Sequence, residues 1–194
     1  WLNVICFALL IVTGAQIRYR GNMDLMSFRT AVDVHNFAGF SLIGLFLVWA
    51  VYYAASGKMK VYLPDLNIMR YVKNSWKQAR YYGYGLFLGE PNPHHATPDH
   101  KFNPMQQVAY FSIMFFLMPV LIATGLLLWD LDRFAAVFDL LGGIKAISAA
   151  HLLVAIFFAA FLFVHVYLTT LGRTPLEHIK AMFTGYEEEP EQGH

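Results

Sequence analysis

The chain has 194 residues, 57% of them apolar and only 14% charged, with a formal net charge of +1. Soluble domains carry about 25% charged residues, and here the deficit is gathered into long apolar runs, which points to an integral membrane protein. The near-neutral charge, with no basic tract interleaved with aromatics, offers nothing to a nucleic acid, and the single cysteine, Cys6, excludes an internal disulfide and a four-cysteine metal centre.

Four spans are predicted, at about 1–17, 34–55, 105–129 and 149–171. They define an all-α fold, an integral membrane four-helix bundle forming a single domain over 1–194. The first span is at the short end of what crosses a bilayer. It opens at Trp1 with no initiator Met and no polar flank, so the natural N-terminus is expected upstream. No A-x-A-like site follows it, so it does not read as a signal peptide. Cys6 reads as a small core residue. The third span holds Pro119, which frees a backbone carbonyl and predicts a kink of the kind membrane bundles tolerate. Trp1, Trp49, Tyr52, Tyr53, Tyr110, Trp129 and Tyr167 lie near span ends, as aromatic belts do.

The connection between spans two and three carries Lys58, Lys60, Arg70, Lys73, Lys77, Arg80 and Lys101, and the C-terminal segment adds Arg173 and Lys180. The opposite side has Arg18, Arg20, Arg29, Arg133 and Lys145. The positive-inside rule then places both termini in the cytoplasm of a bacterial inner membrane. Over 66–79, Leu66, Met69, Val72, Trp76 and Ala79 recur at helical spacing beside Arg70, Lys73, Lys77 and Arg80. Such a helix lies on the inner membrane surface or packs on the protein's own cytoplasmic end. Thr174-Pro175-Leu176-Glu177 reads as a capping box, predicting a second short cytoplasmic helix that stops near Gly185. The acidic tail, 187–194, is expected to be solvated.

The histidines carry the chemistry. His151 and His165 stand fourteen residues apart on the fourth span. Helix geometry makes that roughly 21 Å of rise and within about 40° of whole turns, so both imidazoles share a face. One lies near each side of a hydrocarbon core about 30 Å thick. Ionisable groups inside a span are costly and mark function by default. His35 opens the second span at the outer depth of His151, so the two can supply both axial positions of one haem iron. The plainer alternative is a pair of histidines bonded to neighbouring helices.

His165 is the inner-side counterpart, yet residues 1–34 contain no histidine. Its partner precedes Trp1, or the inner iron has another ligand, or no inner haem exists. With no C-x-x-C-H motif, each haem is of b type, held by coordination and packing alone. Gly39 and Ala155, one turn from His35 and His151, leave room for a porphyrin or for plain helix contact. Phe158, seven residues from both His151 and His165, is expected on their face at mid-depth. His178 reads as facing water rather than a quinone headgroup. The His94, His95 and His100 loop reads as solvent-facing or as a proton relay rather than a metal centre.

A histidine opening span two, paired histidines on span four, KFNPMQQVAY entering span three and Gly185-Tyr186 after the last helix together resemble the four-helix dihaem cytochrome b subunits. This is the family of formate dehydrogenase gamma subunits and thiosulfate reductase cytochrome b subunits, related to hydrogenase cytochromes b. The resemblance covers essentially the whole chain. In that family span one begins His-Trp, and the histidine shares the inner haem with the second histidine of span four. The resemblance thus implies a histidine just before Trp1. It also implies a menaquinone or ubiquinone site beside the inner haem, contacted by Asn103 and Gln106, although Gln107 stands where the family often has a lysine. Asn103-Pro104 is equally a helix start, with Asn as the cap.

The expected function is a dihaem electron-transfer subunit, not a complete enzyme. It would link an outer-side iron–sulfur or multihaem partner to quinone through haem ligands His35, His151 and His165. Arg18, Arg20, Arg29 and Lys145 are candidates to meet haem propionates or that partner. A stand-alone quinol-linked cytochrome and a haem-poor structural anchor are the alternatives.

Overall fold

The computed structural model describes residues 1–64, 66–94, 102–170 and 176–186, with the backbone alone at 177 and 178. His95, His100, Lys101, Arg173, the Thr174-Pro175 half of the capping box and the acidic tail lie outside them, as does the His178 side chain.

Every long element is a helix. The first is α1 (Leu2–Arg18), followed by α2 (Phe28–Ala55). The second begins well before the apolar run near 34. Its polar first turns, with Arg29 and Asp33, stay helical because the Ser27 hydroxyl accepts the Thr30 N–H at 3.1 Å. The α1–α2 link is clasped by Gln16, which is buried. Its Nε2 donates to the Met23 carbonyl at 2.8 Å, and its Oε1 accepts the Leu25 N–H at 3.1 Å.

The connection between the second and third spans holds a 3-10 turn (Lys58–Tyr62), α3 (Ile68–Gly83) and a second 3-10 turn (Gly85–Leu88). The third span is α4 (Pro104–Ser112), a π-helical turn (Ile113–Leu117) and α5 (Met118–Trp129). A proline cannot donate to the turn behind it, and the wide turn before Pro119 takes up that missing bond. The chain then forms α6 (Ala135–Leu140), α7 (Gly143–Thr169) and α8 (Glu177–Thr184), which stops at Gly185.

Three helical segments, α2, α4–α5 and α7, are long and apolar enough to cross a membrane, while α1 is a shorter apolar helix. The result is an all-α membrane bundle. Its packing is by pairs, with α1 along α2 and α5 along α7, and α2 touching α5 between them. Leu42, Ile113, Met118 and Phe158 form the buried centre, where Phe7 meets Phe158 at 5.6 Å between ring centroids. Phe37, Val48, Leu153 and Phe163 point outward, as lipid-facing residues do. Trp1 stacks on Phe183 at 4.5 Å, which sets α8 against the start of α1.

The surface helix α3 inverts the usual arrangement. Its apolar residues face out, with Ile68, Met69, Val72 and Trp76 all more than half exposed. Its inward side is polar. Buried Gln78 donates to Asn92 at 3.3 Å, and Tyr82 accepts from Asn103 at 3.1 Å.

Candidate functional site

His35 enters from α2 and His151 from α7, and their ring centroids lie 6.4 Å apart with planes at 68°. Both rings are half-buried. Each leans on the partner helix of its own pair, and the two contacts are near copies. Thr13 of α1 bonds His35 Nδ1 at 2.9 Å. Thr124 of α5 bonds His151 Nδ1 at 2.9 Å. Each threonine also donates its hydroxyl hydrogen one turn back, Thr13 to the Leu9 carbonyl at 2.5 Å and Thr124 to the Val120 carbonyl at 2.7 Å.

A glycine follows each threonine; the approach is tight at Gly125 and an ordinary contact distance at Gly14. A Cβ on Gly14 would sit 3.4 Å from His35 Cε1, and one on Gly125 would sit 3.2 Å from His151 Cε1. These four residues escape a histidine-led reading of the sequence. Their signal is a repeat, Ile11-Val12-Thr13-Gly14 and Ile122-Ala123-Thr124-Gly125, one copy in each helix that backs a histidine.

The donor set fits a haem iron. Two imidazoles on one metal, each nitrogen about 2 Å away, hold their ring centroids roughly 6 Å apart. The observed separation is of that size, and both Nδ1 atoms are engaged behind the rings, leaving Nε2 of each as the free ring nitrogen. Toward solvent, Arg29 and Lys145 are exposed, Arg20 lies over the Phe28 ring at 4.8 Å and Arg18 over Tyr19 at 5.6 Å.

His165 is placed differently. It is half-buried and stacks on Phe161 at 5.9 Å between centroids, and among the described ring contacts it meets no second histidine. Rings continue from it through Phe161, Tyr110, Phe102 and Tyr62 to Trp49, with successive centroids 6.1, 4.7, 5.5 and 5.4 Å apart. Phe158 lies between the two histidine levels of α7 and is 3% exposed, the position its spacing predicts.

Asn103 and Gln106 form a reciprocal capping box. Asn103 Oδ1 accepts the Gln106 N–H at 2.9 Å, and Gln106 Oε1 accepts the Asn103 N–H at 3.1 Å. Asn103 is buried, and its Nδ2 is given to Tyr82. Burial raises the Tyr82 phenol above its usual range, so it is held neutral. Gln107 instead ties the third span to the first 3-10 turn region, donating to the Leu63 carbonyl at 2.7 Å.

Long apolar helices presenting paired imidazoles to one another define a membrane cytochrome of b type. Comparison with known proteins agrees. Residues 1–185 match the profile of the prokaryotic cytochrome b561 family. The chain belongs to that family, and with it to the haem b-binding membrane proteins of electron transfer. A relative in Escherichia coli (strain K12), described as "Putative cytochrome YdhU", is 34% identical over 187 residues, 96% of this chain and 69% of that protein. No solved structure matches the chain.

Proposed function

We propose that this cytochrome is the dihaem membrane subunit of a quinone-linked oxidoreductase in a bacterial inner membrane. Bound haem supplies the one-electron redox chemistry. In this reading His35 and His151 hold the outer haem, and His165 holds the inner one with a histidine preceding Trp1. The observation that carries it is the 6.4 Å pair of imidazoles, each anchored by its own threonine. His35 and His151 would hold such a haem from both sides, a ligation that favours electron transfer over oxygen chemistry.

The rest of the chain supports the same reading. Buried Phe158 keeps water from the mid-plane between His151 and His165. Arg18, Arg20, Arg29 and Lys145 sit at the outer end of the bundle, available to propionates or to an outer-side iron–sulfur or multihaem subunit. At the inner end, Gln78, Tyr82, Asn103 and Gln106 bring polar groups together under the membrane, where a quinone headgroup and its protons belong. The outward apolar face of α3, beside Lys73 and Lys77, suits an anionic inner leaflet, which supports a cytoplasmic placement of both termini.

The test is a pyridine haemochrome assay on the protein expressed from its natural start. Two haems b per chain are expected. A single haem that survives removal of His165 would leave the outer site alone, and none would overturn the reading.

A further inference from the structure

The two threonines do more than bring helices together. A threonine in a membrane helix commonly satisfies its hydroxyl on the carbonyl one turn back, and that alone has no bearing on function. Here each hydroxyl has a second bond, and the first one fixes the sense of the second. Thr13 Oγ1 faces the Leu9 carbonyl at 2.5 Å and the Leu10 carbonyl at 3.5 Å, and Thr124 Oγ1 faces those of Val120 at 2.7 Å and Leu121 at 3.1 Å, so each hydroxyl hydrogen has a carbonyl to go to. Each oxygen therefore faces its histidine as an acceptor. With each hydroxyl hydrogen held by a carbonyl, His35 and His151 would carry their proton on Nδ1 and leave Nε2 to a metal. In a bilayer core no water is at hand to make that choice.

We propose that Thr13 and Thr124 are paired positioning residues that fix the tautomer and the ring plane of His35 and His151, and so tune the potential of the iron these hold. The inference rests on the outer-ligand assignment and goes beyond it. A hydrogen bond from Nδ1–H to an acceptor raises the basicity of the ligating nitrogen, which favours ferric over ferrous iron. The acceptor is a neutral hydroxyl, so the effect is milder than a carboxylate's. Each ring is bonded at Nδ1 and lies beside a glycine that leaves it room, so the hydrogen bond is what would hold its plane. The planes are thereby kept crossed at 68°. Crossed imidazole planes give low-spin ferric haem a strongly anisotropic EPR signal with a large maximal g value, whereas parallel planes give a rhombic one.

The test compares Thr13→Val, Thr124→Val and the double variant with Thr→Ser and Thr→Ala at the same positions, in the full-length haem-loaded protein. Haem content, redox titration and ferric EPR are read together. Loss of the acceptor is expected to raise the midpoint potential of the outer haem, more in the double variant than in either single one, and to lower its maximal g. Serine, which keeps the hydroxyl, is expected to restore both. If a valine variant loses its haem, the serine–alanine pair decides: alanine shifted and serine native supports the proposal, and both alike overturns it. Unchanged potential and EPR in haem-replete valine variants also overturn it. His151→Ala is the control. If it keeps both haems, the ligand assignment has failed. If it loses the outer haem while the threonine variants behave as native, only this proposal has failed.

Discussion

The two ends of the bundle, outer and inner in the orientation proposed above, bind their histidines by different means. At the outer end, His35 and His151 face each other, and each is backed by a Thr-Gly step on a neighbouring helix. At the inner end, His165 stacks on Phe161, the first of a run of rings reaching Trp49. The outer end is held by directed hydrogen bonds, which fix tautomer and plane. The inner end is held by stacked aromatic faces, which fix position but leave the ring nitrogens uncommitted among the described contacts. A site meant to keep one electronic character gains from the first arrangement. Under the proposed function, the second suits a site next to a quinone that exchanges protons.

This contrast can be broken or sharpened by substitution. The largest effect is expected from His151→Ala. It should abolish the outer haem and electron transfer through it while the inner haem persists, halving haem b per chain. Retention of both haems in a pyridine haemochrome assay would sink the assignment. Gly125→Leu comes next. With a Cβ already 3.2 Å from His151 Cε1, a longer side chain must push the ring off its threonine. Haem loss should be confined to the outer site.

Phe158→Ala probes the middle that both ends share. Truncating a fully buried phenylalanine costs about 3 kcal/mol, and thermal unfolding in detergent should register a loss of that order. A native melting curve would mean that Phe158 is not part of the load-carrying core. Asn103→Ala removes a helix cap at a cost of about 1 kcal/mol. Asn103→Ser keeps the cap but not the Nδ2 bond to Tyr82. Slower quinol-linked haem reduction in the serine variant, with an unchanged melting point, would tie that amide to quinone. Equal rates would leave Asn103 a cap alone.

The smallest effect concerns pH. Burial pushes the Tyr62 phenol up to about 12, above the usual tyrosine value of about 10. The folded protein therefore retains a proton that the unfolded chain releases first. The stability this confers is present below about pH 10 and is lost as pH rises toward 12. Tyr62→Phe should flatten that alkaline limb in a stability-versus-pH series, and an unchanged limb would assign it to another group.

Hydropathy made the spans legible because a bilayer demands long apolar helices, and the fourteen-residue spacing made the face of α7 legible because helix geometry is rigid. The early starts of α2 and α7 were not: the first turns of α2 are polar and held by the Ser27 cap, and α7 opens at Gly143 with Lys145 interrupting the apolar run. The Thr-Gly steps also escaped notice. Threonine and glycine in a span read as ordinary packing residues, and only their meeting with a distant histidine gives them a chemical role. In α3 the apolar stripe was plain, but whether it met lipid or protein depended on Gln78 and Tyr82 turning inward. Asn103 carried two readings at once. The structure displays its cap, while the quinone contact stays a matter for experiment.

The π-helical turn at Ile113–Leu117 has a consequence for how the third span is addressed. A wide turn holds one residue more than the α-helix it replaces, and one residue is worth roughly 100° of rotation. Everything after the turn is therefore re-phased relative to everything before it. The lower half aims Asn103 at the surface helix α3, and the upper half aims Thr124 and Gly125 at α7. A single continuous helix thus serves two neighbours in different directions. Deleting one residue from the turn would rotate the whole upper half out of line with His151 while leaving the lower half untouched.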